Sequence, residues 1–302
     1  MARFVSNSGV LRRQLTPLEP LVNQIESAEA LDEIGQTVGK TVRDAFGRGT
    51  LKEALSGTWL GHAVHPVLTD VVIGSFTSAS LLDLVAPDSD GIAAERLIAL
   101  GLLTYLPTSA TGFNDWADTE PVDEGVRRVG LVHAVSNAAG ATLYFASLGA
   151  RRRGSRRLGA ALGFLGMGVM GAGAYLGGHL TLTKGVGPDQ TVFDPGPPGW
   201  TPAADASLLA ENRPTRVVVD DTPVLLLRQG ENIYAIHDRC SHRGCSLSDG
   251  EVEGDEVVCS CHGSRFSLRD GAVKHGPATA SQPAFQVRVE DGRIEVRRLN
   301  PA

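Results

Sequence analysis

The sequence predicts an α+β multidomain chain, with an N-terminal four-helix transmembrane bundle followed by a C-terminal all-β domain. Two observations predict this. Four stretches, roughly 66–86, 94–113, 129–149 and 158–182, are long, apolar and nearly free of charge, and each is close to the twenty or so residues that a membrane helix needs. Beyond about residue 200 the pattern changes to short β-branched runs punctuated by turn dipeptides.

Residues 1–58 carry balanced charges and no apolar core, so they read as polar, partly amphipathic helix running up to the membrane. No signal-peptide pattern opens the chain, and Arg12-Arg13 is not followed by a hydrophobic run. Residues 59–184 form the four-helix transmembrane domain. Its spans are rich in Gly, Ala, Ser and Thr, as in 159-GAALGFLGMGVMGAGAYLGG-178, where Gly159/Gly163 and Gly173/Gly177 are small-xxx-small pairs. Such faces let helices approach closely in lipid. A buried soluble bundle is the competing reading, because Glu95 and Arg96 stand at the mouth of the second span and Pro107 lies inside it. Residues 185–200, GVGPDQTVFDPGPPGW, are Gly/Pro-rich and read as a flexible linker. Residues 201–302 form the β domain. In it, 215-TRVVVDDTPVLLLRQGENIYAIHDRC reads as short strands separated by Asp-Asp and Gly-Glu-Asn turns, and 285-FQVRVEDGRIEVRRL as a strand, an Asp-Gly hairpin turn and a strand.

A net charge of −6, with no basic tail and no aromatic-basic groove, gives no footing for nucleic acid. Four of the eight histidines lie in the helical half: His62 and His65 at the start of the first span, His133 early in the third and His179 late in the fourth. Helix parity puts all four at the membrane face that carries the β domain, together with Asp115, Trp116 and Asp118. His62, His65 and Thr69 share one stripe at i, i+3 and i+7. Histidines at membrane depth are costly and therefore functional candidates. Three identities stay open: bis-histidine ligation of a haem b, for which His133 and His179 lie at suitable depth, hydrogen bonding to a quinone head group, or interfacial residues bonded to backbone and water.

The densest signal is 240-CSHRGC-245, answered by 259-CSCHGS-264, which together hold all four cysteines of the chain. Cys240 and His242 are spaced C-x-H, and Cys259 and His262 C-x-x-H, with sixteen residues between the pairs. Two short-range ligand pairs on two loops can hold a metal at little closure cost. A structural zinc ribbon is one reading. Each pair mixes a thiolate with an imidazole, however, which also suits a [2Fe–2S] cluster with two thiolates on one iron and two imidazoles on the other. His237 and His275 fit no ligand spacing and read as surface or loop residues.

Residues 240–283 resemble a Rieske iron–sulfur domain, in CSHRGC, CSCHGSRF and GPATASQP. The last of these is similar to the family's proline-containing loop over the cluster. The resemblance covers roughly the last hundred residues. It implies a Rieske [2Fe–2S] cluster on Cys240, His242, Cys259 and His262, a Cys245–Cys261 disulfide bracing the two loops, and Ser264 as a hydroxyl donor that tunes the potential. Phe266 stands where the respiratory members have a second donor, a tyrosine, and Arg243 where they present an apolar residue. These departures imply an intermediate potential and argue against a direct role in a bc-type complex. Separately, 59-WLGHAVHPVLTD-70 resembles a four-helix bacterial membrane family of unknown function that is sometimes fused to a Rieske domain; it brings no activity with it.

The expected function is therefore a membrane-anchored carrier of single electrons, with an exposed histidine-ligated iron nearest a redox partner protein or a quinone. It would be the electron-transfer component of an oxidoreductase system and not a stand-alone enzyme. Two alternatives are a component of an oxygenase system and a membrane anchor whose Cys/His domain is a zinc docking module. Only forty residues follow His262, with His275 the single histidine among them, so the mononuclear-iron half of an oxygenase is not expected. The expected location is the cell membrane, multi-pass. Arg48, Lys52, Arg127, Arg128 and Lys184 flank the spans on one side, and Arg96, Arg151, Arg152, Arg153, Arg156 and Arg157 on the other. The dense second cluster and a disulfide beside the metal place the Rieske domain on the exoplasmic side.

Overall fold

A computed structural model describes residues 18–87 and 91–299; residues 1–17 of the expected N-terminal helical segment lie outside the described residues. Three short helices come first: α1 (Glu19–Glu26), α2 (Asp32–Phe46) and α3 (Thr50–Ser56). Four long helices follow, α4 (Val64–Val85), α5 (Ile92–Ala117), α6 (Glu124–Arg152) and α7 (Arg156–Leu182), packed α4 on α5, α5 on α6, α6 on α7 and α4 on α7.

By length and composition α4, α6 and α7 could cross a membrane, and α5 is not among them. Four such spans were expected. The difference has a chemical reason: α5 carries Glu95 and Arg96 near its start and closes on the polar pair Asn114-Asp115.

Close approach of backbones builds the α6–α7 seam. Gly159, Gly163, Gly166 and Gly173 are all buried on α7. A Cβ on Gly166 would meet Tyr144 at 3.0 Å, and one on Gly173 would meet Asn137 at 2.7 Å. Both expected small-residue pairs thus belong to one longer stripe. At one end of the seam Arg151 pairs with Asp83, both almost wholly buried. At the other, Asp123 caps α6 by accepting from the Val126 amide at 2.9 Å, and Lys184, just beyond α7, reaches Asp123 at 3.7 Å and Glu26 at 3.4 Å.

The N-terminal helices are fastened to that same end by paired charge. Glu120 lies 2.5 Å from Arg43 and 2.9 Å from Arg127, while Asp32 serves both Arg127 and Arg128. Buried charge persists only where it is paired and hydrogen-bonded. Arg127 and Arg128, which look like solvent-facing flanking cations in the sequence, are spent inside the fold.

The β domain holds three antiparallel sheets. One orders β1 (Thr201–Asp205), β10 (Arg293–Arg298) and β9 (Phe285–Glu290), and a second orders β2 (Thr215–Val219), β3 (Thr222–Gln229) and β4 (Asn232–His237). The third orders β5 (Glu251–Glu253), β6 (Glu256–Val258), β7 (Arg265–Ser267) and β8 (Val273–His275). The Asp-Asp and Asp-Gly turns form as expected, with Asp220 and Asp221 at φ 47° and 67° and Asp291 and Gly292 at 48° and 77°. Strand β3 is buried on both faces. Val224 and Leu226 enter one core with Val219, Ile294 and Val296, while Leu225 and Leu227 enter another with Ile236, Leu247 and Phe266. That second core also contains Cys240 and Cys259.

The segment expected to be a free linker is largely bound. The Gln190 amide donates to the Ser241 carbonyl at 3.0 Å, and Asp194 accepts from Thr222 at 2.5 Å and from His237 Nε2 at 3.1 Å. His237 is correspondingly fully buried and not a surface residue, because it ends the inward face of β4 and finds its acceptor in the linker. Before Gln190, Val186 still belongs to the helical side, its amide donating to the Leu180 carbonyl at 3.0 Å, and the chain turns on Gly185 and Gly187 at φ 68° and 107°.

Candidate metal centre

Two loops of the β domain close in the same way. In the first, between β4 and β5, the Cys240 amide donates to the Cys245 carbonyl at 2.8 Å and the Gly244 amide to the Cys240 carbonyl at 2.8 Å. In the second, between β6 and β7, Cys259 donates to the Ser264 carbonyl at 2.8 Å and Gly263 to the Cys259 carbonyl at 3.0 Å. Each loop needs a left-handed residue four positions after its first cysteine, and glycine supplies it, at φ 77° in Gly244 and 80° in Gly263. Asp238 stiffens the first loop, accepting from Ser246 at 2.7 Å and from the amide and hydroxyl of Ser248 at 2.8 and 2.6 Å.

Cys245 and Cys261 form a disulfide across the loops, with Cα atoms 6.6 Å apart. Cys240 and Cys259 remain free thiols, both buried. They hydrogen-bond each other, which lowers Cys259 to about 6, while the same bond together with burial pushes Cys240 well up. Such a pair gives up one proton readily and holds the second, because two bare thiolates side by side repel. A cation bound by both sulfurs removes that repulsion. Nearby, the His242 and His262 rings stand edge to face with centroids 5.0 Å apart. Burial holds both imidazoles below their ordinary protonation range, with Arg243 adding to the effect at His242; neutral imidazole is the ligand form.

One further observation bears on what these four residues fit. His242 Nδ1 is buried without a hydrogen-bond partner, and buried nitrogens are rarely left so. A ring nitrogen awaiting a metal, beside a second neutral imidazole and two adjacent thiols, fits an iron–sulfur group with two sulfur and two nitrogen ligands. Ser264 is fully buried, and its Oγ accepts from the Ala278 amide at 3.0 Å. That bond ties the second loop to a third, between β8 and β9, and leaves the serine proton to be donated elsewhere. Phe266 packs in the same core as Cys240 and Cys259.

The histidine edge of this site is not exposed, contrary to expectation. Residues of the helical region cover it. Asp118 Oδ2 lies 3.4 Å from His242 Nε2, and Lys52 Nζ lies 2.6 Å from Asp118 Oδ1. Arg243 donates to the Asp115 carbonyl at 3.3 Å. Thr58 donates to the Ala278 carbonyl at 3.1 Å, and His275 meets Glu53 at 3.0 Å. Helix parity places Asp115 and Asp118 at this face, whereas Lys52 reads in sequence only as a flanking cation and Thr58 and Glu53 carry no sequence signal.

The four membrane-domain histidines are dispersed. His62 is exposed, with Nδ1 2.9 Å from the carbonyl of the adjacent Ala63. His65 gives Nδ1–H to the Thr108 carbonyl at 3.0 Å, and His133 gives Nδ1–H to the Gly173 carbonyl at 2.8 Å, with Asn137 3.1 Å from its Nε2. His179 instead engages Glu26 through Nε2 at 2.8 Å.

Comparison with known proteins divides the chain where the fold divides. The Rieske [2Fe-2S] domain family matches residues 199–286, and a predicted membrane protein family (DUF2231) matches residues 61–190. The β half is 34% identical over 97 residues to the anthranilate 1,2-dioxygenase ferredoxin subunit of Burkholderia cepacia, covering 32% of this chain and 90% of that protein. It is 35% identical over 78 residues to ferredoxin CarAc of Metapseudomonas resinovorans, covering 26% and 73%. It is also 41% identical over 78 residues to the 3-phenylpropionate/cinnamic acid dioxygenase ferredoxin subunit of Escherichia coli K12, covering 25% and 74%.

Proposed function

The chain belongs to the Rieske [2Fe-2S] family and carries an N-terminal domain of the predicted membrane protein family (DUF2231), and from that premise we propose that it is a membrane-anchored carrier of single electrons. Its parts would be a helical lead-in over 1–58, a transmembrane domain over 59–184, a connector over 185–200 and the Rieske domain over 201–302. Cys240 and Cys259 would hold one iron, and His242 and His262 the other. When bound, the cluster supplies one-electron exchange at a potential raised by neutral imidazoles standing in place of thiolates. The protein's own residues do the rest. The Cys245–Cys261 bridge keeps the loops in register, and Ser264 is left with a proton to donate toward the cluster.

The observation that carries this reading is the buried, partnerless Nδ1 of His242 beside a second neutral imidazole and two contacting thiols. Membrane anchoring is supported by α4, α6 and α7. All of α4 to α7 would lie in the membrane, with the Rieske domain exoplasmic, where its disulfide persists and the exposed Arg152, Arg153 and Arg157 face the cytoplasm. Two of the similar proteins are ferredoxin subunits of dioxygenases, which supports an oxygenase-type redox protein as partner. A quinone or haem b in the helical domain is a second reading, and the fixed tautomers of His65 and His133 favour it. With Nδ1–H committed to a carbonyl, Nε2 is the acceptor in each, though Asn137 already meets that of His133.

An optical and EPR spectrum of detergent-purified protein, as isolated and reduced, tests the centre. A Rieske signal is expected in the wild type. In His262→Cys it should be abolished or its potential sharply lowered, because a thiolate adds negative charge. A colourless wild-type protein containing zinc overturns the reading.

A further inference from the structure

We propose that the Lys52–Asp118 pair of the helical region is a built seat for the histidine edge of the Rieske domain, with Asp118 a positioning residue that accepts the Nε2–H of His242. The proposal rests on the reading of 240–264 as a cluster site and adds a tuning group outside that domain.

Two unsatisfied atoms carry it. Asp118 Oδ2 is a carboxylate oxygen on a side chain only 3% exposed, and it has no hydrogen-bond partner. Its neighbour is His242 Nε2, 3.4 Å away on a side chain 9% exposed. The other nitrogen of the same ring, Nδ1, is also buried and partnerless. If Nδ1 is committed to iron, the ring proton must sit on Nε2, 3.4 Å from Asp118 Oδ2, where a small rotation of the ring completes the bond. One arrangement then satisfies both orphans. A carboxylate behind a metal-ligating histidine fixes the ring's tautomer and orientation and makes it a stronger base. Asp118 in turn is held by Lys52, itself 7% exposed, at 2.6 Å. A buried carboxylate with one oxygen unpaired is expensive, so this geometry is costly unless the histidine completes it.

The seat extends beyond the pair. Arg243, next to His242, donates to the Asp115 carbonyl, Thr58 bonds the Ala278 carbonyl on the third loop, and Glu53 meets His275. On the second loop, the place where a Cβ on Gly263 would stand is 3.6 Å from Arg48. The first and third loops around the site are therefore held from the helical side, and Arg48 stands beside the second. The linker is bound to the Rieske domain from Gln190 onward and to the end of α7 as far as Val186, whose amide donates to the Leu180 carbonyl at 3.0 Å, so separation of the two surfaces must hinge on the few residues between them. An extended chain of about four residues reaches at most about 14 Å. The edge at which an outside redox protein would dock is thus closed by this chain's own helices.

The experiment uses the full-length, cluster-loaded protein in detergent, with Asp118→Asn, Asp118→Glu and Lys52→Met. The readouts are the midpoint potential from EPR-monitored titration and the histidine nitrogen couplings from pulsed EPR. Loss of the anion in Asp118→Asn should favour reduction by at least about tenfold, or about 59 mV for one electron, and alter the coupling of one remote ring nitrogen. Asp118→Glu should recover part of both changes. Lys52→Met should move the potential the opposite way, because it removes a cation. Opposite signs at two touching residues separate an electrostatic role from general loosening, which would move both alike. Cluster signals of wild-type potential and coupling in all the variants overturn the proposal while leaving the Rieske reading standing. Absence of any Rieske signal from the wild type overturns both.

Discussion

Ser264, at the end of the second loop, and Phe266, on β7 two residues later, bracket what side chains can do to the potential here. Ser264 Oγ already accepts from Ala278, so its proton is its remaining resource. Phe266 has no polar atom to offer, although its ring packs among the cluster-side core residues. Ser264→Ala should lower the midpoint potential by removing a donor and also cost about 1 kcal/mol of stability through the stranded Ala278 amide. Phe266→Tyr should raise the potential by adding one. Redox titration of the two variants checks both signs. Movement in the same direction would mean that the hydroxyls act through packing and not through donation.

Among the elements, the helical region depends on glycines that admit neighbouring side chains. A Cβ on Gly130 of α6 would stand 2.2 Å from the Trp116 indole nitrogen, which now donates to the Val126 carbonyl at 3.2 Å. Gly168 on α7 has open space around the same position. Gly130→Ala should therefore destabilise the helical domain by about 1–3 kcal/mol, while Gly168→Ala is neutral or slightly stabilising through helix propensity. Thermal unfolding in detergent, with both variants against wild type, measures the contrast. The long helices were legible because an apolar run of about twenty residues is a local signal. That α5 stands apart from the other three was visible in Glu95, Arg96, Asn114 and Asp115 but outweighed by the apolar stretch between them. The pairing of Arg127 and Arg128 with Asp32 and Glu120 had no local signal at all, since ion-pair partners are chosen by the fold.

For the whole molecule, electron flow depends on whether the helical domain is more than an anchor. His65 and His133 share a tautomer in which Nε2 is an acceptor, met by Asn137 in His133, whereas His179 is engaged by Glu26. If a quinol delivers electrons through this domain, His65→Ala and His133→Ala should slow bleaching of the cluster by quinol in detergent, while His179→Ala changes the rate little. Stopped-flow absorbance follows this directly. Equal rates in all three variants and no haem band in the wild type would reduce the domain to an anchor that also caps the cluster edge.

Spacing and periodicity, read from the sequence alone, determined the two loops at 240–245 and 259–264, the long helices, the hairpin turns at Asp220-Asp221 and Asp291-Gly292, and the order of the two halves. Each is a signal contained within some twenty residues, set by steric preference or by the reach of a short loop. Tertiary structure alone decided that the histidine edge is closed. The contacts that close it join positions such as Arg243 and Asp115, 128 residues apart, and Thr58 and Ala278, 220 apart. Lys52 reads in sequence as one more flanking cation. It becomes part of the site only because burial beside Asp118 forces each charge to find its partner.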